Sequence, residues 1–320
     1  MKELKASAPA KIILFGEHAV VYNRPAIAIP VNDVRAFATI QTDTNLDAPV
    51  IQAKDFDIEY SFKKKSVPKK IAHIIKAVQL VEKKTNSKYP DTGWRLTLSS
   101  NIPISRGMGS SAAISVVLIK ALYQFLEKDL DQSLLIDLSY ELEKIHHGTP
   151  SGIDNAVVSL ENPVLFQKER GFNMFRCKTF HFIIGDTGIG KKTATIVNEV
   201  AQRYKKNRAS YKAIFDAIGS VSNQGLDALR LGQKNKLGRL INLNQSLLDE
   251  LGVSSPELDH LIHQSLENGA LGAKLCGAGK GGCMVALAES LEKADKISEK
   301  LIEAGAKQTF VTTLKGVNKK

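Results

Sequence analysis

The sequence predicts an α+β protein of two domains, residues 1–178 and 179–320. Three observations carry that expectation. Short β-compatible apolar runs are interspersed with longer stretches whose apolar residues recur at helical spacing. A length of 320 residues is enough for a substantial core, and one or two domains are natural at that size. Past about residue 178 the pattern changes, and helical stretches come to dominate.

In the first half, residues 6–15, 26–31 and 35–41 read as three strands, apolar or β-branched in character. Residues 68–83 carry Ile71, Ile74, Ile75, Val78 and Val81, a helical stripe. A strand-like segment at 94–98 precedes an uninterrupted helical run at 112–126. Residues 131–147 form another helix, with Leu134, Leu135, Leu138, Leu142 and Ile145 on one side. The run G-T-P-S-G at 148–152 ends it with strong breaking chemistry. In the second half, 180–185 reads as a strand, followed by helices at 193–206, 211–231, 237–251 and 256–269. Strands at 273–275 and 283–287 flank a glycine loop, and a helix at 291–304 and a strand at 309–313 close the pattern.

Composition bounds the function. The chain is 43% hydrophobic and 24% charged, ordinary for a globular protein. No apolar run reaches the roughly 20 residues needed to span a bilayer. The short apolar stretch at 12–15 is interrupted by Gly16-Glu17-His18, which argues against a signal peptide. A cytoplasmic protein without membrane contact is expected. Cys177, Cys276 and Cys283 are too few and scattered for a disulfide framework or a zinc site, so reduced thiols are expected. His146-His147 and the His260/His263 pair have no acidic or cysteine partner at a supporting spacing. The net charge of +11 points to an anionic partner. With 6% aromatic residues and no nucleic-acid motif, a small phosphate or carboxylate ligand is favoured over nucleic acid.

Four segments carry the chemistry. The first, I-P-I-S-R-G-M-G-S-S-A-A at 102–113, places two glycines and two serines between a strand and a helix. Such a turn lets the backbone approach a ligand closely and aims helix N–H groups and the dipole at it, which binds phosphate; plain connection is the competing reading. The second, at 9–22, sets Lys11 inside an apolar strand, where an edge position or a snorkelling side chain is the ordinary explanation. The third, H-G-T-P-S-G-I-D-N at 147–155, holds Asp154 in a tight Pro/Gly turn, a position that is commonly structural. The fourth, G-A-G-K-G-G at 277–282, is either a flexible hairpin or a loop packed closely against a ligand.

Together these segments resemble the GHMP kinases, and within them the mevalonate kinase family. The match at Pro103 to Ala113 is the superfamily's ATP loop. P-A-K-I-I-L-F-G-E-H-A-V-V-Y-N-R-P-A-I-A-I-P, H-G-T-P-S-G-I-D-N, L-G-V-S-S-P-E-L-D and G-A-K-L-C-G-A-G-K-G-G-C follow in the family's order across residues 9–283. The resemblance implies a ribosomal protein S5 domain 2-like N-terminal domain and a ferredoxin-like C-terminal domain, with the active site in the cleft between them. It implies ATP and Mg²⁺ as cofactors, mevalonate as the substrate, and a homodimer as in many relatives. Pro103, Arg106, Gly107, Met108, Gly109, Ser110, Ser111 and Ala112 would bind the nucleotide, with Ser111 and Glu143 holding the metal. Asp154 and Lys11 would be catalytic. His18, Lys191, Thr193, Gly277 and Ala278 would meet the substrate. The chain departs from the family's pattern at Ala10, at Ala194, where a basic residue is common, and at Lys280 within the last glycine loop.

Overall fold

The structure is a computed structural model that describes residues 3–91, 93–147, 151–190 and 193–315. Strands β1 (Glu3–Phe15), β2 (Ala26–Thr42), β3 (Val50–Ala53) and β4 (Ile58–Ser61) open the chain. Helix α1 (Ala72–Thr85) and strand β5 (Trp94–Ser100) precede three helices, α2 (Ser110–Phe125), α3 (Gln132–His147) and α4 (Ile153–Leu160). Strands β6 (Val164–Gln167), β7 (Gly171–Met174) and β8 (Phe180–Asp186) lead into α5 (Thr193–Lys206), α6 (Arg208–Leu231), α7 (Lys234–Glu250) and α8 (Pro256–Glu267). Strands β9 (Gly272–Cys276) and β10 (Cys283–Ala288), helix α9 (Leu291–Glu303) and strand β11 (Gln308–Leu314) complete it.

The chain groups into two compact units, each discontinuous in sequence. One contains the residues up to Ala10, Val34–Ile102 and Ser110–Glu161; the other contains Lys11–Asp33, Pro103–Gly109 and the residues from Asn162 onward. In the first unit β3 pairs antiparallel with β4 and parallel with β5, and β5 pairs antiparallel with residues 36–42 of β2. Helix α2 is apolar nearly all round, as a helix enclosed by others must be. It packs against α1, α3 and α4. Trp94 anchors an aromatic cluster with Phe62, Tyr89 and Phe125, and its indole N–H donates to the Pro90 carbonyl at 2.7 Å.

In the second unit, residues 26–28 of β2 pair with β6, which pairs with β7. Its other sheet is antiparallel, in the order β11-β8-β10-β9. Residues from α5 to α9 cover it, and Ile183, Phe215, Leu248, Leu258, Leu275, Met284 and Ile297 belong to one buried core. None of the three cysteines is in a disulfide; all are buried, and burial pushes the Cys177 and Cys276 thiols up to about 11. Among the described residues, no helix is long and apolar enough to cross a membrane.

Two local expectations are corrected. The strands read at 26–31 and 35–41 are one continuous strand, because Asn32 and Asp33 sit at exposed positions where polar turn formers cost little. Asp33 also accepts a hydrogen bond from Thr312 at 2.8 Å, which ties it to the second unit's own sheet. Asp154, read as held in a Pro/Gly turn within residues 147–155, lies in helix α4, whose N-terminal boundary is Gly152 at φ 91°; residues 148–150 of that segment lie outside the described residues.

Candidate active site

The glycine–serine turn is built around Lys11. Gly109 has φ +73°, and a Cβ there would come within 2.8 Å of the Lys11 Cγ. Glycine is therefore required twice, for backbone conformation and for space. The Lys11 backbone N–H donates to the Met108 carbonyl at 3.0 Å, stitching β1 to the turn. Lys11 is only 3% exposed, so the strand lysine is held inside the protein rather than snorkelling to solvent. The Met108 and Ala112 side chains are buried. Helix α2 begins at Ser110 directly after the turn, with Ser110 and Ser111 half-buried on its first turn. Pro103 is likewise half-buried.

Within the first unit, the Ser111 hydroxyl donates to the Glu143 carboxylate at 2.5 Å. Ser115, one helical turn further along α2, donates to the same Oε1 at 3.2 Å. Glu143 is 5% exposed, so its carboxylate is held by short polar contacts rather than by bulk water. A carboxylate and a hydroxyl oxygen side by side are the hard donors that magnesium takes, and that ion keeps most of its waters. Among the described residues no group of three or more His, Cys, Asp or Glu forms a larger metal cluster. Sequence reasoning missed Ser115; its signal was the i, i+4 spacing from Ser111, which puts both hydroxyls on one helix face. Asp154 stands in the first turn of α4, half-buried.

The second unit gathers the other predicted residues. His18 adopts φ 59°, and its Nε2 lies 2.9 Å from the Ala278 carbonyl. Burial pushes the imidazole pKa down, and the charges of Arg203 and Lys274 push the same way against the hydrogen bond to Ala278. His18 is therefore neutral at physiological pH, with Nε2–H donating and Nδ1 left as an acceptor. Beside it, Glu17 forms an ion pair with Lys274, both side chains fully buried, and the Lys274 ammonium also donates to the Leu275 carbonyl at 2.6 Å. Burial raises the Glu17 carboxyl pKa, with Lys274 opposing it.

Gly277 and Ala278 are half-buried in the glycine loop. Lys280 of that loop pairs with Glu199 of α5 at 2.9 Å. Arg106 turns its guanidinium to Asp186 at 3.1 Å and donates to the Gly188 carbonyl at 2.6 Å. Thr193 is exposed at the first position of α5, and Lys191 lies outside the described residues.

Residues 72–162 match the family described as GHMP kinases N terminal domain, and residues 226–307 match GHMP kinases C terminal. A mevalonate kinase from Thermococcus onnurineus is 33% identical over 317 residues, covering 94% of this chain and 93% of that protein. The chain belongs to the mevalonate kinase family. The crystal structure of L. major mevalonate kinase in complex with R-mevalonate matches it with a TM-score of 0.86 at 27% identity, covering 99% of this chain and 97% of that one. Mevalonate kinase from Methanococcus jannaschii matches with a TM-score of 0.85 at 28% identity, over 99% of each chain. The α+β mevalonate kinase architecture expected from the motifs is thus the architecture found, with GHMP kinase N- and C-terminal domains.

Proposed function

We propose that the protein transfers the γ-phosphoryl group of ATP to the 5-hydroxyl of (R)-mevalonate, giving 5-phosphomevalonate and ADP. The observation that carries this reading is the Ser111–Glu143 oxygen pair, set on the helix that follows the glycine turn in a chain of the mevalonate kinase family. The backbone amides of residues 107–111, at the start of α2, cradle the phosphates. Pro103, Arg106 and Ala112 shape that turn. Ser111 and Glu143 would hold Mg²⁺, which would supply positive charge to offset that of the phosphates.

Asp154 orients the acceptor hydroxyl and takes its proton as the new O–P bond forms and the bond to the β-phosphate breaks. Lys11 carries positive charge toward the transferring phosphoryl group, where a buried cation acts in a low dielectric. His18, neutral, offers Nδ1 to a substrate hydroxyl. Gly277 and Ala278 line the acceptor through their main chain. Thr193 supplies a hydroxyl, and Lys191 supplies charge for the mevalonate carboxylate.

The test is ADP release with Mg-ATP and mevalonate, 5-phosphomevalonate, homoserine or galactose, assayed side by side. Turnover on mevalonate alone is expected. Turnover on 5-phosphomevalonate instead would replace the acceptor and its contacts while keeping the nucleotide roles. Silence on all four acceptors would overturn phosphoryl transfer and favour a ligand-sensing protein on the same scaffold.

A further inference from the structure

Arg106 is the turn residue whose side chain has a use that phosphate binding does not explain. Its Nε lies 3.1 Å from Asp186, which is 1% exposed, and its Nη2 donates to the Gly188 carbonyl at 2.6 Å. The planar guanidinium fork suits such a two-point contact, which a lysine cannot reproduce. Asp186 is itself fixed. Its Oδ1 accepts from the Gly188 N–H at 2.9 Å, and its carbonyl accepts from the Lys307 N–H at 2.8 Å. Gly190 makes room for the guanidinium, since a Cβ there would fall 2.1 Å from the Arg106 Nη1.

The same turn is tied to the glycine loop. The Gly282 carbonyl accepts from the Thr187 N–H at 3.0 Å and its hydroxyl at 2.8 Å, and the Gly282 N–H donates to the Ile189 carbonyl at 2.6 Å. In that loop the Ala278 carbonyl meets His18. Three loops of the second unit are thus joined: the one preceding α2, the one preceding α5, and the one between β9 and β10.

We propose that Arg106 and Asp186 are positioning residues whose ion pair clasps the nucleotide turn to the turn at 187–190 and, through it, to the glycine loop that meets His18, tying affinity for ATP to affinity for the acceptor. This rests on the phosphotransferase reading above. A ligand that orders one loop then prepares the other, and the coupling is reciprocal. Charged partners in one network also lose their effect together, so the two removals should not add.

The experiment compares Arg106→Met, Asp186→Asn and the double variant with the wild type. It measures kcat, both KM values, calorimetric binding of ADP without acceptor, and thermal stability. Each single variant is expected to raise both KM values by roughly three- to tenfold, and the double variant no further than the worse single one. Asp186→Asn should also weaken ADP binding, although Asp186 is assigned no nucleotide contact. Arg106→Met raising only the ATP KM, with Asp186→Asn leaving it unchanged, would make Arg106 a simple phosphate ligand and overturn the clasp. Lower thermal stability with both KM values unchanged would reduce the pair to a brace and overturn it too.

Should Arg106→Met fail to fold, Arg106→Lys and Gly190→Ala displace the same contact more gently and must give the same paired KM shift. If the wild type turns over no acceptor, the kinase reading fails; ADP calorimetry on Asp186→Asn then decides the clasp separately.

Discussion

Glu17 and Glu143 are both buried carboxylates, and the contacts described at each differ in kind. Glu17 meets Lys274, a full counter-charge from β9, with both side chains at 0% exposure. Glu143 receives two serine hydroxyls from α2. A lysine ammonium occupies a carboxylate permanently, whereas a hydroxyl can rotate from donating a hydrogen bond to offering its lone pair to the same cation. Burial alone therefore does not mark a functional carboxylate. A hydroxyl partner, unlike an ammonium, is compatible with the metal role proposed for Glu143.

The sharpest way to break this contrast is Lys274→Met. It leaves Glu17 buried without its counter-charge and should cost about 3–5 kcal/mol of stability, with Glu17→Gln added to Lys274→Met recovering most of it. Urea unfolding of the three proteins checks this, and a mild effect of Lys274→Met alone would dissolve the distinction. On the other side, Ser115→Ala should leave the melting temperature close to wild type. It should raise the Mg²⁺ concentration for half-maximal activity by roughly tenfold, as loss of a ligand-orienting contact does. An unchanged magnesium requirement would return the Ser115–Glu143 contact to ordinary packing.

The smallest effect concerns His18, neighbour of Glu17. Its folded pKa lies below the ordinary 6.5, so the unfolded chain binds the proton first as pH falls. Stability is then full above about pH 6.5 and declines below it, until the folded imidazole is itself protonated. Unfolding midpoints measured from about pH 7.5 to 5.5 should fall less steeply in His18→Gln than in the wild type. Parallel curves would mean that His18 is not held neutral by its surroundings.

What was legible in the sequence is local. The turn at 103–109 and the start of α2 follow from glycine, serine and a helical run adjacent in the chain, and α2 does begin at Ser110. Strands β3, β4, β6 and β7 went unread because each has only four residues, too few for a period of two to stand out. Helix α4 was hidden because its residues directly follow Ser151 and Gly152, which read in the sequence as turn formers. The role proposed for Lys11 was suggested only by the family's pattern. Its burial against Gly109 depends on a turn nearly a hundred positions away in the chain.

By itself the sequence determined the α+β class, the family, and which turn and residues are the candidates for phosphate, metal and catalysis. Each of these is written in consecutive residues or in short motifs whose chemistry is local. Only the tertiary structure decided which charge meets which: Lys274 with Glu17 across 257 positions, Arg106 with Asp186 across 80, and Ser115 with Glu143 across 28. Ion pairs and buried hydrogen bonds act over a few ångströms of space, and a linear chain does not reveal which distant residues folding brings within that range.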